Sequence, residues 1–319
     1  MQHVVQPSET RTRDCLRSLV SKQLMPLVLL VFFAWLIGGK VMALDFAAIG
    51  AALQAITPTQ WAASVAAAML SFWAIGRIDV VVHRLMGTGI CTTMAQLSGI
   101  TSVATAQLAG FGLLTGTLAR WRVLPDLSLW KATQISVSVS AAFMTGLAVV
   151  TAVMVVCVDT GLAWSRLIGA AALIFGACCI ALAIWRPHGA LRLRLPPLKA
   201  QASLLAFVLL DTGAAALALY VLIPAPLMPP AGVFYAVFLM ALGAGLLGAT
   251  PGGVGPFEML FLLCLPGLPE PQLLAAIVGY RLVYFALPAV LAIGLLLLGP
   301  VIARANGPAQ SANPDHNPA

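Results

Sequence analysis

The chain has 319 residues, of which 61% are hydrophobic and only 8% are charged. A soluble domain averages about 45–50% apolar and about 25% charged residues, so this composition excludes an ordinary soluble enzyme and a disordered chain. The net charge is +7, yet no basic cluster with interleaved aromatic residues points to nucleic-acid binding. The composition therefore predicts an all-α polytopic membrane protein.

Charge-free stretches give the order of the predicted helices, because about 20 apolar residues in a helix cross a bilayer. We predict a basic cytoplasmic segment over 1–22, one transmembrane domain over 23–303 and a disordered cytoplasmic tail over 304–319. A polar break is expected at 76–84. The six predicted full spans are about 24–43, 57–76, 132–158, 164–185, 200–222 and 272–298.

The basic residues orient these spans. With the N-terminus in the cytoplasm, 14 of the 17 Lys and Arg residues fall on the cytoplasmic side, which agrees with the positive-inside rule. The C-terminus is then cytoplasmic as well. In this orientation the segment 88–119 enters and leaves on the inside, and the segment 232–269 enters and leaves on the outside.

Both of these segments are rich in glycine, and each is shorter than the ~40 residues that two full spans require. The second contains Pro251-Gly252-Gly253-Val254-Gly255-Pro256, a run that no continuous helix tolerates. We therefore predict two re-entrant helical hairpins in addition to the six spans. Repeat A (57–158) and repeat B (200–298) would form an inverted repeat. The alternative is eight full spans without a repeat.

Four charged residues fall at membrane depth in this arrangement: Arg120, Asp211, Glu258 and Arg281. A charge at the centre of a membrane helix costs about 2.5–3.5 kcal/mol even on the lenient insertion scale. Two acids and two bases predict mutual pairing, which offsets much of that cost. A static ion-pair network that only fixes helix packing is the alternative to a substrate site.

The same region supplies a candidate substrate site. Arg120 and Arg122 match a phosphate in bidentate fashion, and Glu258 would attract a cationic headgroup. Backbone N–H groups at the start of a half-helix would add donors. No metal ligand set, cofactor motif or catalytic group can be assembled, so neither an enzyme nor a cofactor is predicted. The candidate substrate-binding residues are Thr115, Gly116, Arg120, Arg122, Asp211, Gly252, Gly253, Gly255, Glu258 and Arg281.

Four motifs follow one another along roughly residues 60–300. They are Gly110-Phe111 with Thr115-Gly116 and 120–122, Asp211 with 219–224, the run 251–258, and 280–285 with Pro288. Together they resemble the signatures of the lysylphosphatidylglycerol synthase/flippase transmembrane family. Pro256 departs from the pattern, since the family usually has an aliphatic residue there.

The resemblance implies a protein of the bacterial inner membrane that moves a phospholipid between leaflets. The lipid would be one such as aminoacylated phosphatidylglycerol, whose transfer gives resistance to cationic antimicrobial peptides. Because the chain ends soon after the last span, a stand-alone member without the synthase domain is expected. The alternative is a non-transporting subunit or scaffold for a separate lipid-modifying enzyme. The sequence leaves open whether the protein forms a homodimer.

Overall fold

The computed structural model describes residues 46–109, 112–124, 127–158, 165–185, 197–247, 255–286, 288 and 290. The described residues form helices and no strand. The predicted first span, the basic segment, the tail and most of the last span beyond residue 286 lie outside them. The α-helices are α1 (Phe46–Gln54), α2 (Pro58–Leu85), α3 (Thr92–Ala109), α4 (Gly112–Val123), α5 (Leu129–Cys157), α6 (Ser165–Trp185), α7 (Leu198–Tyr220), α8 (Ala231–Leu247), α9 (Pro256–Cys264) and α10 (Glu270–Arg281).

Three of these helices, α2, α5 and α7, are long and apolar enough to cross a membrane. They make the chain a helical membrane protein. Helices α5 and α7 begin at Leu129 and Leu198, within three residues of the predicted starts of their spans. Helix α6 matches the predicted span at 164–185. The short helix α1 had no counterpart in the predictions.

The predicted polar break at 76–84 is wrong, because α2 continues to Leu85. The helix begins at a Thr57 cap, where Gln60 N–H donates to Thr57 Oγ1 over 3.3 Å and Pro58 occupies the first turn. It does not end at Arg77 and Asp79, because both charged groups have partners within the fold. Asp79 is paired inside the fold, and Arg77 lies over the rings of Trp73 and Phe207 at 5.8 Å.

Helices α2 and α7 pack antiparallel along most of their length. Ser64 Oγ–H donates to the carbonyl of Ala218 over 2.8 Å, and Trp73 meets Phe207 edge to face. The molecule therefore has two ends. The Thr57 end holds the start of α2, the end of α7 and the start of α10. The Lys199 end holds the end of α2, the start of α7 and the basic residues Arg84, Arg122, Lys131 and Lys199.

Helices α3 and α4 form a first hairpin that rises from the Lys199 end. They run antiparallel, with Ser98 opposite Arg120 and the Ser102 carbonyl opposite Gly116. Arg84 reaches Thr92 at the start of α3, which fixes that start at the Lys199 end. With 12 residues, α4 is about 18 Å long and too short to cross about 30 Å of hydrocarbon.

Helices α8 and α9 form a second hairpin that descends from the Thr57 end. Phe238 lies 5.8 Å from Phe257, and Phe234 lies 5.4 Å from Phe261. These ring pairs place the two helices side by side and antiparallel. Helix α9 has nine residues and is about 13 Å long. It begins with Pro256 at its first position, where the missing N–H costs nothing, so the proline suits the start of a half-length helix.

A glycine lets the first hairpin approach α2 closely. A Cβ built on Gly99 would lie 2.5 Å from Asp79 Oδ2, so only glycine fits between α3 and the buried carboxylate. In contrast, a Cβ on Gly213 of α7 would meet nothing within 4 Å.

Replacing Gly99 with alanine should therefore lower the stability of the protein in detergent by about 1–3 kcal/mol through overpacking. Gly213→Ala is the matched control and should leave stability unchanged or raise it by up to about 1 kcal/mol through helix propensity. Thermal unfolding followed by tryptophan fluorescence measures both variants. A Gly99→Ala protein as stable as the control would contradict the close approach of α3 to Asp79.

Candidate functional site

A buried polar cluster joins the first hairpin to α2 and α5. Arg120 binds Asp79 in bidentate fashion: Nη1 donates to Oδ1, and Nη2 donates to Oδ2 over 2.9 Å. Arg120 Nε–H also donates to Ser136 over 3.1 Å. The side chains of Asp79 and Arg120 are 0% and 2% exposed. His83 completes the cluster, with Nε2 at 3.6 Å from Asp79 Oδ1.

This cluster changes the role of Arg120. Its guanidinium is engaged by a carboxylate and two serine hydroxyls, so a lipid phosphate would have to displace Asp79 to reach it. Arg122, two residues further on, is exposed. Asp79 was missed as a site residue because it was assigned to a polar loop. The apolar residues Ile78 and 80–82 around it were the signal that a buried helix continues there.

The mutual pairing predicted for the acids and bases is found for Glu258 and Arg281, a combination that the sequence did not specify. Arg281 donates from Nη2 and Nε to Glu258 Oε1, the latter over 2.9 Å. The second carboxylate oxygen of Glu258 accepts the backbone N–H of Gly255 over 2.7 Å, which caps the start of α9. The guanidinium of Arg281 also lies over the Phe285 ring. The side chains of Arg281 and Glu258 are 23% and 16% exposed, so this ion pair is partly open, unlike that of Arg120.

Among the described residues Asp211 forms no ion pair, contrary to the predicted mutual pairing. Its partners in this part of the chain are hydroxyls. Ser71 Oγ–H donates to Asp211 Oδ1, and Tyr284 OH lies 3.4 Å from the same oxygen. Ser71 Oγ and Tyr284 OH are 2.6 Å apart. Tyr284 belongs to a π-helical turn, Leu282–Ala286, a feature that is frequent at functional sites.

The three polar clusters follow one another between the two ends of the protein. Glu258–Arg281 lies nearest the Thr57 end. Tyr280 stacks on Tyr284 with ring centroids 5.0 Å apart and connects this pair to Asp211. Asp79 lies eight residues beyond Ser71 on α2, about 12 Å further toward the Lys199 end. The structure thus places the polar groups of four predicted site residues, Arg120, Asp211, Glu258 and Arg281, at successive levels between the two ends, although it does not join them in one network.

The remaining predicted site residues have packing roles or lie outside the described chain. Gly116 is buried, and a Cβ there would lie 3.2 Å from the Ser102 carbonyl. Thr115 is half-buried on α4. Gly255 has φ of 101°, a conformation that side chains rarely adopt. Gly252 and Gly253 fall outside the described residues.

An apolar cavity of about 410 Å³ opens at the Thr57 end, between α1, α2, α10 and the turn after α7. Its polar lining comes from Gln60 and Gln272. None of the predicted site residues lines it. Within the described part of the chain, no group of three or more His, Cys, Asp or Glu side chains is placed to hold a metal ion.

No model of a known protein family matches the chain. A curated relative, the uncharacterized protein slr0712 of Synechocystis sp., is 26% identical to it over 267 residues, which cover 75% of this chain and 79% of the relative. The similarity extends over most of both proteins.

The buried Asp79–Arg120 pair should contribute strongly to the stability of the protein. Arg120→Ala leaves a fully buried carboxylate without its partner, and breaking a buried ion pair typically costs about 3–5 kcal/mol. Arg122→Ala removes an exposed guanidinium two residues away and should change stability by no more than about 0.5 kcal/mol.

Chemical unfolding in detergent compares these two variants. The double variant Asp79→Asn/Arg120→Gln should be more stable than Arg120→Ala, because it buries no lone charge. If Arg120→Ala and Arg122→Ala are equally stable, the pair does not hold the first hairpin in place.

Proposed function

We propose that this protein is a phospholipid translocase whose headgroup site is built around Glu258 and Arg281. The observation that carries the proposal is that this ion pair is partly exposed and lies at the start of a half-length helix, α9. Half-helices that begin inside a membrane protein are typical of transporter binding sites. Charged residues at membrane depth commonly mark substrate pathways.

The pair fits a headgroup that carries both a phosphate and an amine, as aminoacylated phosphatidylglycerol does. Arg281 would exchange the Glu258 carboxylate for the lipid phosphate, a good match for a guanidinium. Glu258 would exchange Arg281 for the lipid ammonium group. Every charge keeps a partner throughout this exchange, so the headgroup enters without leaving a lone ion at membrane depth.

The two short hairpins support a re-entrant arrangement within the membrane. Each enters and leaves at one end of the molecule, and the two enter from opposite ends. Since basic residues collect on the cytoplasmic side of membranes, the Lys199 end would face the cytoplasm of a bacterial inner membrane. The order long helix, hairpin, helix occurs in both halves and supports the inverted repeat. The similarity of the motifs to the lysylphosphatidylglycerol synthase/flippase family agrees with this function.

Reconstitution into liposomes tests the proposal. The wild-type protein should move a fluorescent or aminoacylated phosphatidylglycerol between leaflets faster than protein-free liposomes. Glu258→Gln removes one charge of the exchange pair and should slow transfer by roughly tenfold, the effect of losing one charge-assisted hydrogen bond. Glu270→Gln, on the exposed first turn of α10, is the matched control and should transfer lipid at the wild-type rate. Equal rates with and without the wild-type protein would refute the function.

A second candidate, a non-transporting scaffold for a separate lipid-modifying enzyme, is favoured by one observation. The Asp79–Arg120 pair is closed and satisfied, as a static network would be. The two functions differ in the access of water to the interior. In a protein whose native cysteines are replaced, cysteines introduced at Thr115 and Met259 should react with a polar thiol reagent if a wet path exists, and a cysteine at the buried Ala218 should stay unreactive. No reaction at either site would favour the scaffold.

A further inference from the structure

Three described carboxylates are held inside the protein, and they differ in their partners. Asp79 is bound by Arg120, and Glu258 is bound by Arg281. Asp211 is only 4% exposed, yet the described ion pairs do not include it. An unpaired negative charge at membrane depth is costly, so Asp211 needs a different account from the other two.

We propose that Asp211 is a proton-binding site and that its protonation is coupled to movement of the headgroup past Glu258 and Arg281. This inference rests on the proposed function and supplies the ion that would drive it.

The hydroxyl partners of Asp211 suit both forms of the carboxyl group. A serine or tyrosine hydroxyl is both donor and acceptor. Ser71 and Tyr284 can therefore donate to the carboxylate, and Ser71 can accept from the protonated acid while it donates to Tyr284 OH at 2.6 Å. An arginine partner has no acceptor and would favour the charged form alone. The proton comes from water and returns to water, and no other bond changes.

Three elements hold this arrangement. Ser71 comes from α2, Asp211 from α7 and Tyr284 from the π-helical turn after α10. Tyr284 also packs against Phe72 with ring centroids 5.3 Å apart. A change in the charge of Asp211 therefore acts on contacts between the two halves of the chain. A coupling ion acts at this interface in an alternating-access transporter.

The charged and titratable groups around Asp211 link it to the headgroup pair. From the α10 side, Tyr280 and Tyr284 face it, and Tyr280 lies within electrostatic range of both Asp211 and Arg281. From α8, Tyr235 approaches through its 2.8 Å hydrogen bond with Thr212. At this level α2 contributes Ser71, which does not titrate. A negative Asp211 would attract Arg281 toward the centre, and a neutral Asp211 would leave Arg281 to Glu258 or to a lipid phosphate.

Buried hydroxyls lead from Asp211 toward the Lys199 end. Thr101 and Ser102 of α3 are buried, and neither side-chain oxygen has a partner within the described chain. They lie one turn beyond Ser98, between the levels of Asp79 and Ser71. Polar atoms of this kind are commonly satisfied by buried water, and such water would carry protons between the cytoplasmic side and Asp211.

Infrared spectroscopy of the purified protein tests the proton site without any transport assay. A carboxylic-acid C=O band that disappears as the pH is raised should be present in the wild type and in Glu270→Gln, and absent from Asp211→Asn. If Asp211→Asn does not fold, Ser71→Ala should shift the midpoint of that band. A wild-type spectrum without the band, or a midpoint that Ser71→Ala leaves unchanged, would overturn the inference.

Proteoliposomes with an imposed pH gradient test the coupling. One proton per lipid should produce up to about tenfold lipid asymmetry between leaflets per pH unit, and Asp211→Asn should abolish that asymmetry. If wild type moves lipid and Asp211→Asn responds equally to the gradient, the coupling is wrong while the translocase function stands. If wild type moves no lipid, the function fails, and the infrared titration alone decides whether Asp211 binds a proton.

Discussion

The fold depends on how the protein neutralises charged side chains in its apolar interior. Asp79 and Arg120 come from different elements and form a closed pair, and α2 can continue as one helix through a charged residue because of it. The same pair holds the first hairpin against α2, with Gly99 allowing the approach. Without that pairing, neither the length of α2 nor the position of the hairpin would be explained.

The three polar clusters differ in their partners and in how exposed they are. The pair near the Lys199 end is closed, the hydroxyl-bound Asp211 lies in the middle, and the pair of Glu258 and Arg281 nearer the Thr57 end is partly open. Under the proposed function these differences correspond to one fixed anchor, one group that changes charge and one site that exchanges partners with a headgroup.

Much of this architecture could be predicted from the sequence. Charge-free runs located α5 and α7, glycine marked both hairpins, and proline marked the second. The sequence could not identify Arg120 as the partner of Asp79, 41 residues away. Nor could it identify Ser71 as the partner of Asp211, 140 residues away. Charges at 77 and 79 therefore suggested a loop, since no local pattern distinguishes a solvated charge from one that a distant helix neutralises.

The depth of the second hairpin tests the account most directly. A spin label at Leu247, the exposed last residue of α8, can be introduced after the native cysteines are replaced, and its depth in a bilayer measured from collisions with oxygen and a polar relaxant. The account predicts a Leu247 label that is still inside the hydrocarbon, about 24 Å along α8 from Ala231, with labels at Ala231 and Gly267 at one and the same surface. A Leu247 label at the opposite surface would mean that α8 is a full span, and would contradict the account.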